Sequence, residues 1–223
     1  MLSFPILLAA MLLHAPQDPD APRALNLQRI PITGPLPTSF VPSGWLVEKQ
    51  LTADLNADQR PDRVLMLNEK KVAQQENSGD ERALVVLLAQ PDGTWKRVGA
   101  SNKVVYCKSC YGALSGPAGG FPDVNVKKGV VVIYQEGGSR QAWNTTTRFR
   151  YEPSTNRMRL IGVDEVVVDR ANGDISTTST NLLTGTQEVS EGRIDQDQVK
   201  KTRHSVKASK RYLEGFNPDE VWK

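Results

Sequence analysis

The feature that most constrains this chain is the regular spacing of turn-forming residues between short apolar runs. Val64-Leu65-Met66-Leu67 and Ala83-Leu84-Val85-Val86-Leu87-Leu88 are continuous apolar runs, the pattern of strands buried on both faces. Pro91-Asp92-Gly93 then turns the chain and Thr94 to Val98 continues as a second strand, a hairpin signal. The same grammar recurs downstream. Val124 to Lys127 leads through Lys128-Gly129 into Val130 to Tyr134, and Glu136 to Ser139 forms the next turn. Thr145 to Tyr151 alternates, Pro153 to Asn156 turns, and Met158 to Val168 returns with a kink near Gly162. Asn172-Gly173 turns again before Ile175 to Asn181. Turn signals about every 8–12 residues mark an all-β chain. A short segment at Asn68–Gln75 is the one helical candidate. The expected fold is all-β, with antiparallel hairpins in a sandwich, barrel or propeller-like arrangement.

Four segments are expected. Residues 1–16 read as a signal peptide, because the apolar run Phe4 to Leu13 is far shorter than the ~20 residues that span a bilayer. Met1-Leu2-Ser3 lacks the usual positive charge, and no cysteine follows the run to carry a lipid. Residues 17–44 hold Pro19, Pro22, Pro31, Pro35, Pro37 and Pro42, an extended lead-in. Residues 45–190 form the β domain, and 191–223 a charged C-terminal segment. Within that segment Lys200 to Arg211 carries six basic side chains and no acid. No aromatic residue lies inside the run to stack bases, so a solvated strand face is the favoured reading over an anionic contact surface. A net charge of +3, from 28 basic and 25 acidic residues, is too even to imply nucleic acid. With His14 in the signal segment, only His204 remains. That argues against a His-based triad or a multi-His zinc site.

The one motif with chemistry in it is Asp54-Leu55-Asn56-Ala57-Asp58-Gln59-Arg60-Pro61-Asp62. The carboxylates of Asp54, Asp58 and Asp62, the amide of Asn56 and the backbone carbonyl of Arg60 form a set of hard oxygen donors. Such a set suits calcium, which takes six to eight oxygens at about 2.3–2.6 Å, better than octahedral magnesium. The bland alternative is a polar Asx-rich turn neutralised in part by Arg60 and Arg63. An EF-hand is excluded, since Gln59 and Leu65 stand where that loop needs Gly and Glu. The pattern resembles the strand–loop–strand calcium loops of FG-GAP repeats in integrin-like and related bacterial secreted proteins. Gln59 replaces the Gly usual there.

From Trp45 to Gly185 the chain also resembles a family of bacterial exported proteins. The carriers are the same loop, Cys107-Lys108-Ser109-Cys110, Gly137-Gly138-Ser139-Arg140 and Ser179 to Gly185. Some similar calcium-bearing periplasmic proteins are inhibitors or immunity partners of cell-wall-cleaving enzymes. The resemblance therefore implies a periplasmic or secreted location and a protein partner in the cell envelope.

Cys107 and Cys110 lack the further ligands of a structural zinc site, and a strand rather than a helix leads into them. In an exported chain they are expected to form a disulfide. The sequence contains no GxSxG, HExxH or phosphate-loop motif. Glu136, Asp164, Glu165 and Asp169 could pair as glycosidase carboxylates, but no spacing selects them. Tyr111, Phe121 and Trp143 beside Arg140 are candidate binding anchors, with Trp143 equally readable as core. The expectation is a non-catalytic, calcium-stabilised exported binding protein. The alternative is a carboxylate-dependent glycan hydrolase.

Overall fold

The computed structural model describes residues 25–71, 79–115, 122–196, 198–208 and 210–218. The signal-peptide segment and Phe121 lie outside the described residues. The strands are β1 (Thr33–Gly34), β2 (Trp45–Ala53), β3 (Asp62–Glu69), β4 (Arg82–Ala89), β5 (Trp95–Ser101), β6 (Asp123–Lys127), β7 (Val130–Gly138), β8 (Gln141–Glu152), β9 (Arg157–Asp169), β10 (Asp174–Asn181), β11 (Thr186–Arg193) and β12 (Val199–Ser205). They form a five-stranded sheet, β1-β5-β4-β3-β2, and a seven-stranded sheet, β12-β11-β10-β9-β8-β7-β6. Every pairing is antiparallel. The all-β expectation holds, in the form of two sheets packed as a sandwich. Asn68 and Glu69, the start of the helical candidate, belong to β3, and its residues 72–75 lie outside the described residues.

Two hydrophobic clusters explain the continuous apolar runs. Val64, Met66, Leu84, Val86 and Leu88 face the seven-stranded sheet and meet Val131, Ile133, Phe149, Leu160 and Val163. Leu65, Leu67, Ala83, Val85 and Leu87 alternate with them and point the other way. That outer face is covered by the Pro-rich lead-in, whose Leu25, Ile30 and Phe40 are buried beside Trp45. The lead-in is tied down by backbone bonds: β1 pairs with β5, and the Arg97 amide donates to Ile32 O at 2.8 Å. The small sheet is thus buried on both faces, the condition under which a strand reads as unbroken apolar sequence.

Strand pairing continues beyond residue 190, with β11 reaching Arg193 and β12 following it. The chain then returns to the core. Tyr212 bridges to Arg159, while Leu213 and Phe216 pack between the sheets, Phe216 edge-on to Phe149 at 5.6 Å. Gly99 makes room for this return, because a Cβ there would lie 2.7 Å from Leu213 Cδ2.

The larger sheet outruns the smaller one. Among the described residues, β10, β11 and β12 contribute no member to either hydrophobic cluster. Every residue of β12 is exposed.

Candidate metal loop and the uncovered sheet

The loop Asp54–Asp62 joins β2 to β3 and winds tightly, with Ala57 and Gln59 both left-handed at φ +63° and +66°. Gln59 therefore takes the conformation that the missing Gly would adopt more cheaply. Asp54 is the hub. Its Oδ1 accepts from the amides of Ala57 at 2.7 Å and Asp58 at 3.2 Å, and its Oδ2 from that of Gln59 at 2.9 Å. Asp58 accepts from the Arg60 amide at 2.8 Å and from Asn56 Nδ2 at 2.7 Å, and the Arg60 guanidinium lies on the same carboxylate. The Arg60 amide bond, ahead of its charge, holds the Asp58 carboxyl below the usual range.

Asp62 has a different job. It is fully buried and accepts from the Leu55 amide at 2.8 Å and the Ala89 amide at 2.9 Å, clamping the loop to the end of β4. Burial pushes its carboxyl up, against those two amides, and the nearby charges of Asp58 and Asp54 add to the rise. Asp54, Asn56, Asp58 and Arg60 thus share one hydrogen-bonded coil, with Asp62 at its base. Among the described residues, no three His, Cys, Asp or Glu side chains are grouped so as to hold a metal ion. The donor chemistry suits calcium, but Asp58 already holds the Arg60 guanidinium and Asn56 Nδ2. A cation would have to displace both.

Cys107 and Cys110 are joined by a disulfide, with Cα atoms 5.1 Å apart. It opens the short 3₁₀ segment Lys108–Ser115, which folds over β7. Tyr111 in that segment is not an exposed anchor. It is 1 % exposed, and its hydroxyl donates to Gln135 Oε1 at 3.0 Å. Gln135 also accepts from the Tyr106 amide and donates to Val104 O, so one side chain holds the whole crossing. Burial pushes the Tyr111 hydroxyl pKa up to about 12. Trp143 is half-buried, stacked on Tyr111 and edge-on to Tyr106 at 5.4 Å.

No family model, curated protein or solved structure matches this chain.

Of the carboxylates considered for glycan hydrolysis, Asp164 pairs with Arg148 at 2.6 Å and accepts from the Ser179 hydroxyl. Asp169 is gripped by both arms of Arg140 at 3.1 and 3.0 Å, which holds its pKa down. Glu136 accepts from the Tyr134 hydroxyl. Asp164 and Glu165 are consecutive on β9 and so project to opposite faces. A shallow cleft of about 480 Å³ does open on the uncovered sheet, lined by Gln141, Val167, Asp169, Asp174, Ser176 and Glu191. Asp174 and Glu191 carried no signal in the sequence. They become neighbours only through the register Ser176↔Glu191 and Asp174↔Arg193.

Sequence reasoning also missed Arg82, which is wholly buried and makes a two-pronged pair with Glu48 at 2.9 Å in each bond. Glu48 is the extra residue of the bulge between Val47 and Lys49, which re-aims its side chain. Arg82 directly precedes the Ala83–Leu88 run. A charge abutting such a run was the available signal.

Proposed function

We propose that this chain is a non-catalytic exported binding protein that engages a protein partner in the cell envelope. The partner class implied by the sequence resemblance is an enzyme that degrades the cell wall. The observation that carries the reading is the rim of the seven-stranded sheet, where β10 to β12 add nothing to either hydrophobic cluster and β12 is exposed throughout. A rigid scaffold presenting an unsheathed, polar sheet is suited to recognition. Among the described residues no helix is long and apolar enough to cross a membrane.

Calcium enters this reading as a stabiliser of the Asp54–Asp62 loop, through Asp54, Asn56, Asp58, the Arg60 carbonyl and Asp62. The Arg60 side chain is its competitor. Calorimetry with calcium and with magnesium tests this part, and Arg60→Ala should strengthen calcium binding. Absence of binding heat in both proteins would leave the loop a hydrogen-bonded turn.

The hydrolase alternative draws on the acidic cleft. Asp169 and Asp174, however, are committed to Arg140 and Arg193, and a depressed Asp169 is a poor general acid. Incubating the purified protein with peptidoglycan and with an envelope extract separates the readings. A stoichiometric partner without product release supports the binding protein; turnover of the glycan removes it.

A further inference from the structure

The sheet edges of this molecule are not alike. β1 is two residues long, and β2 is interrupted by its bulge. β6 lies against β2, with Lys49 Nζ 3.4 Å from Asp123. Shortness, bulging and cover all blunt an edge against pairing. β12 has none of these. It runs in unbroken register with β11 from Val199↔Gly192 to Ser205↔Thr186. The Val206 amide donates to Gly185 O at 2.9 Å. Because antiparallel bonding alternates, the backbone N–H and C=O groups of Val199, Lys201, Arg203 and Ser205 point away from β11.

Charge selects the occupant. Lys200, Lys201, Arg203 and His204 stand on this strand, all exposed. A second copy adding through its own β12 would set cations against cations, which is destabilising. β11 shows what fits instead: Glu188 stands opposite Arg203 and Glu191 opposite Lys200. An acidic strand on the other side would repeat that arrangement with the outward backbone groups.

We propose that β12 accepts an extended, acidic segment of the partner protein as an added antiparallel strand, an inference that rests on the binding-protein reading above. Main-chain bonds would supply affinity and the alternating Lys and Arg side chains specificity. Lysines on the edge then serve two ends, excluding self-pairing and admitting an acidic strand.

The probe is a fluorescent synthetic peptide alternating glutamate and valine, titrated into the full chain, with a lysine–valine peptide as control. Binding of the acidic peptide alone is expected. It should weaken about tenfold or more in Lys201→Pro, which deletes an outward N–H, and in Lys201→Glu with Arg203→Glu. Acidic peptide N-methylated at every amide, which leaves neither edge a donor, makes the same backbone test on the unmutated protein, and its binding should also be lost. Three outcomes overturn the proposal: no binding of the acidic peptide, equal binding of its N-methylated form, or self-association through β12 in sedimentation. An envelope partner captured equally by wild type and Lys201→Pro would also overturn it while leaving the binding-protein reading intact.

Discussion

β4 and β12 are both regular antiparallel strands, yet Arg82–Leu88 is buried throughout and Val199–Ser205 is exposed throughout. β4 earns its place by burial on two faces, at roughly 1.5–3 kcal/mol for each large apolar side chain. β12 has no such term and is held by its ladder to β11 and by cross-strand pairs such as Arg203–Glu188 at 3.7 Å. Exposed pairs of that kind contribute about 0–1 kcal/mol. One half of the molecule therefore provides stability, and the other is left free to vary in chemistry. Binding surfaces are commonly drawn from the less stable parts of a fold.

The comparison breaks most readily at the buried ion pair. Arg82→Ala removes a buried guanidinium and its paired bonds, while Glu48, whose side chain is 21 % exposed, can turn to water. It should cost about 2–4 kcal/mol in urea unfolding, whereas Thr202→Ala on β12 should stay within about 0.5 kcal/mol. Equal effects would mean that the overhanging strands share the core's stability. Gly137→Ala is next. Its Cβ would lie 2.6 Å from Tyr111 O and 2.7 Å from Trp143 Cζ2, so about 1–3 kcal/mol of overpacking is expected by the same measurement.

Reducing the Cys107–Cys110 disulfide closes a smaller account. The loop spans three positions, so the loss should not exceed about 2 kcal/mol on the chain-entropy view. Reduction should also quench or shift Trp143 emission, since the segment it tethers stacks Tyr111 on that ring. Gln59→Gly sharpens the loop reading in the opposite direction. Relief at φ +66° should raise stability by up to about 1 kcal/mol, and an unchanged or lower midpoint would mean the turn is strain-free with glutamine.

The smallest effect concerns the anchoring of the chain's return. Glu152 accepts from the hydroxyls of Tyr212 and Thr155, and these bonds, with Lys210 and Arg159 nearby, hold its carboxyl below the ordinary range. A lowered folded-state pKa adds stability above the unfolded value and loses it as pH falls through the folded one. Glu152→Gln should therefore flatten the acid limb of melting temperature against pH and leave the neutral plateau only slightly lower.

Much of the fold was legible because turn chemistry is local. Pro91-Asp92-Gly93, Lys128-Gly129 and Asn172-Gly173 mark hairpins from their own backbone preferences, with Gly93, Gly129 and Gly173 all at positive φ. The Asp54–Asp62 loop was legible only as a list of oxygen donors. Sequence spacing places Asp54 and Asp62 eight positions apart, but only the packed end of β4 turns Asp62 toward the Ala89 amide. Tyr111 reads as exposed in its Gly-rich setting and is buried because Gln135, from a strand beyond the next loop, captures its hydroxyl.

The sequence by itself determined that this chain makes antiparallel hairpins, because residue-level backbone preferences and a two-residue periodicity need no distant partner. It also pointed to β3 and β4 being covered twice, since unbroken apolar runs of this length are the pattern of strands buried on both faces. Tertiary structure alone decided what covers them: the Pro-rich lead-in on one face, the larger sheet with Leu213 and Phe216 on the other. It likewise decided that β10 to β12 add nothing to either hydrophobic cluster and that β12 lies exposed throughout. Nothing local distinguishes a polar strand facing solvent at the rim from one awaiting a partner. That difference arises only when two sheets of five and seven strands are laid together and the wider one extends past the narrower.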